Sequence, residues 1–289
     1  MNGQPEPDRE AGNAVQAKKP AGRSNLFLRV ASAVVLAPIF LALVWFGGAP
    51  FLIVLTICSL LILNEWTRIT GATVSTSVVG GAGLVVAGGA VWWGDNMTAL
   101  AIVVVVAAVI RIWEMAARRS PWCALGVLYA GLPTVALAEL RLGEYGLWAV
   151  AVILALTWAT DIAAYFSGRT LGGPKLWPSV SPNKTWSGAI GGVVGGALAA
   201  CIVVLVSGIG SPVAIALLAV VFSVASQLGD LAESALKRRF GVKDSGNLIP
   251  GHGGIMDRVD GLVTATFAAY VVGLIASGGA DPSLGLALF

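Results

Sequence analysis

The segment from Ser234 to Gly261 gathers charges of both signs in a chain of which 57% of the residues are hydrophobic and only 11% are charged. Its sequence is SALKRRFGVKDSGNLIPGHGGIMDRVDG, and it contains the only histidine of the chain, His252. Carboxylates within a group of basic side chains suit phosphoryl-type transfer. The carboxylates hold a metal ion, and the metal ion and the basic side chains neutralise phosphate charge. The segment therefore predicts a site for a divalent cation and a phosphate-bearing substrate.

Two aspartates are predicted to hold the cation, Asp230 and Asp257. Asp230 lies in the last turns of an apolar helix, where an ionisable side chain is costly and by default indicates a functional site. Asp257 and Asp260 open the next apolar helix, whose N-terminus favours anions. Consecutive spans bring Asp230 and Asp257 to one membrane surface, where both can meet one Mg²⁺, an ion held by one or two carboxylates plus substrate phosphates. The alternatives are a salt bridge from Asp230 to Lys237 or Arg238, and a simple helix cap by Asp260.

Basic and loop residues of the same segment are predicted to surround the bound phosphates. The basic side chains suited to charge-assisted contacts with phosphate oxygens are Lys237, Arg238, Lys243 and Arg258. Gly253 and Gly254 carry no Cβ, so the backbone there can approach a ligand closely. A lone histidine is more often structural than catalytic, but His252 stands between glycines in a loop and not in a packed core. A functional role is therefore predicted for His252.

A second polar stretch lies between the sixth and seventh apolar runs. Asp161 lies well inside the sixth run, and its depth favours a role in the site over a simple interhelical hydrogen bond. The loop that enters the seventh run reads SPNKTWSG and contains Ser181 and Lys184. If both polar stretches cover one site, Lys184 is expected to bind a substrate phosphate. The preceding GRTLGGPK is not a P-loop, since that motif demands GxxxxGK followed by Ser or Thr.

Membrane-spanning helices are the elements that must position these residues. Soluble domains carry about 25% charged residues, more than twice the share found here. Apolar runs long enough to span a bilayer recur along the whole length. The predicted fold is therefore all-α and polytopic, with about nine transmembrane helices. Their predicted ranges are 27–46, 50–68, 77–94, 97–113, 122–139, 146–167, 188–208, 211–233 and 260–278.

The distribution of basic residues predicts the orientation and the division of the chain. With the N-terminus in the cytoplasm and alternating spans, every one of the 18 lysines and arginines except Arg141 lies on the cytoplasmic side. The positive-inside rule therefore favours a cytoplasmic N-terminus, a C-terminus outside and a site that faces the cytoplasm. Residues 1–24 are predicted to be a disordered polar tail. Residues 25–142 are predicted to form N-terminal helices 1–5, and residues 143–289 the catalytic helices 6–9 with two cytoplasmic loops.

Both polar stretches resemble the signature of the phosphatidate cytidylyltransferase family, also called CDP-diacylglycerol synthases. That signature runs Ser, two residues, Lys-Arg, four residues, Lys-Asp, then Pro-x-His-Gly-Gly and Asp-Arg-x-Asp, and it is matched at unbroken spacing from Ser234 to Asp260. A second family block, DxxAYxxGR…SPxKTxxG, is matched from Asp161 to Gly188. The resemblance covers roughly residues 155–265, while the first five spans match only in character. One departure is Ser187, where many members carry Glu, so any role of that carboxylate is absent here or supplied elsewhere.

The resemblance implies that CTP and phosphatidate react to give CDP-diacylglycerol and pyrophosphate in the cell inner (cytoplasmic) membrane. It implies dependence on Mg²⁺, with a second monovalent or divalent cation left open, a homodimer in membrane lipid, and no nucleic-acid partner. The residues expected to be catalytic are Asp161, Asp230, Lys237, Arg238, His252 and Asp257, of which Asp230 and Asp257 hold the metal. Those expected to bind substrate are Ser181, Lys184, Ser234, Lys243, Asp244, Gly253, Gly254, Arg258 and Asp260.

Two other functions are the alternatives. Another CTP-using lipid enzyme, either polyprenol kinase-like or a cytidylyltransferase for a different lipid phosphate, is distinguished only by the family signature. An ion-coupled transporter would place Asp161 and Asp230 on an ion path. Transporters usually show repeated halves and helices broken near the bilayer midplane, whereas this chain shows no such repeat and concentrates its charge at one face. A CDP-alcohol phosphotransferase would need its own Asp-rich motif, which is missing.

Overall fold

The computed structural model describes residues 23–249, 251 and 253–289, with the side chains of residues 23–29 and of Ala33 left aside. The predicted role of His252 and almost all of the predicted 1–24 tail therefore lie outside the described residues. The described part is almost entirely helical. Its long helices are α1 (Arg23–Phe46), α2 (Gly48–Thr70), α3 (Val74–Trp92), α4 (Asn96–Ala116), α5 (Trp122–Leu142), α6 (Gly146–Leu171), α7 (Trp186–Ser207), α8 (Pro212–Arg239) and α9 (Met256–Ala276).

Eight of these helices, α2 to α9, are long and apolar enough to cross a membrane. The remaining long helix, α1, contributes a shorter apolar stretch, Val30–Phe46. The chain is thus an all-α polytopic membrane protein. Most helix ends lie within a few residues of the predicted ranges, but α9 begins four residues earlier than predicted, at Met256. This early start places Asp257 and Asp260 inside its first two turns.

Glycines allow the helices of the C-terminal half to approach closely. In α7, Gly192 and Gly196 face Thr160 of α6. A Cβ added to Gly192 would lie 3.0 Å from the Thr160 carbonyl oxygen, and one added to Gly196 would lie 2.4 Å from the Thr160 hydroxyl. In α8, a Cβ on Gly229 would lie 2.2 Å from the Thr264 hydroxyl of α9. Glycines commonly allow such close helix packing in membranes. These contacts set α6, α7, α8 and α9 side by side, with their polar ends together.

A β-hairpin connects α6 to α7, in a stretch that the sequence had predicted to be a loop. Strands β1 (Lys175–Trp177) and β2 (Ser181–Thr185) pair antiparallel, with Lys175 opposite Thr185. Thr185 then caps α7, because its Oγ1 accepts a hydrogen bond from the Gly188 N–H at 3.1 Å. The hairpin and the cap together fix Lys184 at the mouth of the α6–α8 interface.

The core runs along α5 and α6, whose apolar side chains are buried by neighbours on both sides. Val127, Leu140, Ile153 and Leu156 are each 1% exposed or less. A short helix that was not predicted, α10 (Pro282–Ala287), ends the chain and packs on α9. Because α5 also contacts α2, α3, α4 and α9, the N-terminal helices are joined to the site through it.

Candidate active site

A cavity of about 590 Å³ opens between α6, the hairpin, α7 and α8. It brings together residues that are far apart in the sequence. Its charged lining residues are Asp161, Arg169, Lys175, Lys184 and Asp230. Lys184 Nζ lies 2.5 Å from Asp230 Oδ2, and both side chains are about one-third exposed, at 29% and 31%. Asp230 of α8 and the second polar stretch, with Asp161 and Lys184, therefore line one cavity.

Three carboxylates lie near the Lys184 ammonium group, at or beside this cavity. Asp161 of α6, Asp230 of α8 and Asp260 of α9 lie close enough to interact electrostatically with one another and with Lys184. The Ser234 hydroxyl approaches Asp230 Oδ1 at 3.4 Å, the longest contact in this group. Mutual repulsion among these carboxylates is relieved when a cation binds beside them. We refer to Asp161, Asp230, Asp260 and Lys184 as the carboxylate cluster.

Asp257 lies in a second cluster, at the start of α9. Its Oδ1 accepts from Lys237 Nζ at 2.6 Å, and its Oδ2 accepts at 2.9 Å from the Ser245 N–H, the Ser245 hydroxyl and the Gly254 N–H. Lys237 Nζ also lies 2.7 Å from Glu233 Oε2, an ion pair without hydrogen-bond geometry. Asp257 therefore links two points of the loop between α8 and α9, at Ser245 and Gly254, and fixes the position of the Lys237 ammonium group.

Glu65 of α2 completes this loop cluster, and the sequence analysis did not single it out. Its Oε2 accepts from the Ser245 hydroxyl and the Met256 N–H, both at 2.9 Å, and its Oε1 accepts from the Ile255 N–H at 3.0 Å. Ile255, the N-cap residue of α9, offers no side-chain cap of its own. A glutamate from the N-terminal half thus satisfies the free N–H groups at the start of α9. The signal was available, since Glu65 is an ionisable residue within an apolar run.

Glycines of the loop are required by this arrangement. A Cβ on Gly254 would lie 2.4 Å from Glu65 Oε2, and one on Gly246 would lie 2.9 Å from Glu65 Oε1. Gly253 has φ +88°, which disfavours any side chain, and a Cβ there would lie 2.8 Å from Asp257 Oδ2. The sequence predicted that the backbone at Gly253 and Gly254 can approach a ligand closely. In the structure, the groups that approach these glycines are the carboxylates of Asp257 and Glu65.

Several predicted site residues lie outside both clusters. Arg238 is exposed and donates to the Val242 carbonyl at 3.3 Å, while Lys243 and Asp244 are exposed in the loop. Arg258 is also exposed, and Ser181 lies at the hairpin opposite Trp177. Ser187, the departure from the second family block, donates to the Gly172 carbonyl and contacts the Thr185 hydroxyl at 3.0 Å. Its hydroxyl supports the α7 cap and does not replace a carboxylate.

The donor set of the two clusters fits a divalent cation. Within the described residues, no group of three or more His, Cys, Asp or Glu side chains is arranged to hold a metal by itself. Mg²⁺ needs only one or two carboxylates when substrate phosphates supply further oxygens. Each carboxylate oxygen has two lone pairs. Within the described part of the chain, Asp230 Oδ1 has the long Ser234 contact and Asp257 Oδ1 accepts from Lys237, and each oxygen has a second lone pair that could face a cation.

Fold and site define a polytopic membrane protein whose charged cavity opens beside its helix ends and suits phosphate and a metal cation. Comparison with known sequences identifies the family. The chain belongs to the cytidylyltransferase family, whose sequence model matches residues 27–276.

Several relatives carry the name phosphatidate cytidylyltransferase. The protein of Brucella suis biovar 1 (strain 1330) is 45% identical over 275 residues, which cover 92% of this chain and 98% of the relative. The protein of Rickettsia bellii (strain RML369-C) is 26% identical over 260 residues, covering 87% and 93%. That of Bacillus subtilis (strain 168) is 49% identical over 138 residues, covering 47% and 51%.

Proposed function

We propose that this chain transfers CMP from CTP to phosphatidate, giving CDP-diacylglycerol and pyrophosphate. The observation that carries the proposal is the carboxylate cluster, in a cavity bounded by membrane helices, in a chain that belongs to the cytidylyltransferase family. One substrate is a lipid and the other is soluble, so the reaction needs charged groups at a membrane surface. The names of the relatives support the same reaction.

Purified protein is expected to release pyrophosphate only when CTP, phosphatidate and Mg²⁺ are all supplied. The measurement is pyrophosphate release in detergent micelles, with the lipid product followed in parallel. Release from CTP without phosphatidate, or transfer to a polyprenol instead, would contradict the proposal and favour another CTP-using lipid enzyme.

The chemistry asks for positioning and charge neutralisation more than for a strong base. A phosphatidate oxygen is already anionic, so it can attack the α-phosphorus of CTP directly. The new oxygen–phosphorus bond forms in line as the bond to the β-phosphate oxygen breaks, and pyrophosphate leaves with that electron pair. Two polyanions must meet, so groups that stabilise negative charge dominate the site. Lys184 would contact a substrate phosphate after its ion pair with Asp230 breaks. Lys237 is paired with Asp257.

Asp230 and Asp257 would hold Mg²⁺, whose chemistry is to neutralise the phosphate oxygens and orient the two substrates. The two aspartates lie in different clusters of this structure, so an ion held by both would join the two clusters. Asp161 and Asp260 would add negative charge beside Asp230. A second cation, if one binds, would find an acceptor in Glu233 Oε1, which is buried and has no hydrogen-bond partner among the described residues. The homodimer stays a proposal that rests on the resemblance.

We also propose that the chain lies in the cell inner membrane with its N-terminus and its site in the cytoplasm, and its C-terminus outside. This orientation gives CTP access to the carboxylate cluster. In a background without Cys58, Cys123 and Cys201, cysteine at the exposed Asn247 should react with an impermeant thiol reagent only in inside-out vesicles. Cysteine at Ser207, exposed at the opposite end of α7, should react only in intact cells whose outer membrane has been opened. The reverse pattern would invert the topology.

Lys184→Ala is expected to lower kcat/KM by at least tenfold. A charge-assisted hydrogen bond is worth about 1.5–3 kcal/mol, which corresponds to roughly 10- to 150-fold in rate. Lys175 lines the same cavity and cannot serve as a neutral control. The control is Arg119→Ala, which removes an exposed charge from the α4–α5 connection. Equal and small losses in both variants would mean that the hairpin is only a connector.

A further inference from the structure

A large apolar groove lies beside the active-site cavity, between α1, α6 and α7. Its volume is about 870 Å³. The residues that carry the argument are Trp45 of α1, Trp148, Ala151, Ala155 and Trp158 of α6, and Ile202 of α7. The polar residues Glu144 and Ser207 line it only at the end away from the carboxylate cluster. The groove is thus an apolar slot that opens to the membrane.

One face of α6 lines both the groove and the active-site cavity. Trp148, Ala151, Ala155 and Trp158 follow one another at helical spacing along the groove. The next residue on this face, one turn after Trp158, is Asp161, which lines the active-site cavity. At 1.5 Å per residue the two side chains start about 4.5 Å apart along the axis. The groove therefore ends where the carboxylate cluster begins.

The level of Asp161 in the bundle allows a bound lipid to reach this slot. Gly192 of α7 faces Thr160 of α6, so Asp161 is level with the second turn of α7, which begins at Trp186. A lipid phosphate at that level stays near the polar ends of the helices. Its acyl chains can then follow α6 along the groove, since Leu147 to Asp161 spans about 21 Å of helix.

We propose that this groove binds one acyl chain of the phosphatidate whose phosphate stands in the carboxylate cluster. The proposal rests on the proposed function and adds to it a site for the lipid tail. Its occupant is the substrate and not bulk lipid or a second copy of the chain, because Trp158 at the end of the groove and Asp161 of the charged cavity are only three residues apart on α6. The groove would favour chains long enough to reach Trp148.

The test fills the groove with a large side chain. Ala155→Trp should raise the KM for dioleoyl phosphatidate by at least about tenfold, since a pocket that loses room for even one methylene discriminates by that much. The same variant should keep the wild-type KM for CTP, and its effect should be smaller with dihexanoyl phosphatidate, whose short chains fill only the first part of the groove. Ala108→Trp, on an exposed face of α4, is the matched control and should change neither substrate.

Three results would overturn the proposal. A KM for dioleoyl phosphatidate that stays at the wild-type value would exclude the groove as a tail site. A loss of kcat that is equal for both chain lengths would show structural damage to the site instead. A changed oligomeric state with unchanged KM would make the groove an interface between copies. If wild-type protein releases no pyrophosphate with either phosphatidate, the proposed function fails, and that result is separate from failure of the groove.

Discussion

Asp230→Asn is expected to lower kcat/KM for Mg²⁺-dependent pyrophosphate release by at least about 100-fold. Residues that only support a metal ligand already contribute about 10- to 100-fold, and a ligand itself should contribute more. Asparagine keeps the size of the side chain but removes the charge that faces Lys184. The fold should survive, because Asp230 is about one-third exposed and caps no helix. The measurements are steady-state kinetics over a range of Mg²⁺ concentrations and thermal unfolding in detergent.

Asp257→Asn is expected to be as inactive but also less stable. Asp257 accepts hydrogen bonds from Ser245 and Gly254 and pairs with Lys237, and each buried donor left without an acceptor costs about 1–3 kcal/mol. Asp95→Asn is the matched control, because Asp95 only caps α4 through the Thr98 N–H and asparagine caps equally well. Retained activity with normal Mg²⁺ dependence in Asp230→Asn or Asp257→Asn would remove that residue from the proposed metal site.

Glu65→Gln is the second change with a large expected effect, a loss of about 10- to 100-fold in kcat. The carboxylate accepts from Ser245, Ile255 and Met256, whereas glutamine turns an NH₂ group towards donors. The loop that carries Asp257 should then shift, and a displacement of about 1 Å can cost 10²-fold in rate. Glu65 touches no substrate in this scheme and is a positioning residue. The KM for CTP should therefore change much less than kcat.

Glu114→Gln separates positioning from stability. Glu114 is also a buried glutamate of the N-terminal half, and it accepts from the Cys123 N–H at the start of α5 at 2.9 Å. Its loss should lower the unfolding temperature, though less than the loss of Glu65 because one hydrogen bond is affected instead of three, and kcat should not change. Equal kinetic losses in the two variants, measured well below both unfolding temperatures, would reduce Glu65 to a purely structural role.

Local patterns in the sequence were sufficient to predict where the helices lie and which motifs the family carries. Apolar runs must be helical in a bilayer, because each backbone N–H and C=O group needs a partner within its own segment. The spans α2 to α9 were therefore predictable from hydropathy alone, and family membership follows from the motifs that lie between Asp161 and Asp260. The nine-span count and the orientation stay predictions, since only eight helices meet the length and hydropathy of a span within the described residues.

Only the tertiary structure decided which charges meet. Lys184 pairs with Asp230 across 46 residues, and Glu65 reaches Met256 across 191 residues. Lys175 lies outside the matching motif positions, yet it lines the cavity because the hairpin brings it opposite Thr185. Sequence spacing reports which side chains share a helix face, since that depends on a local period of 3.6 residues. It does not report which faces pack together, because that is set by shape and close approach between distant segments, as at Gly229 and Gly254.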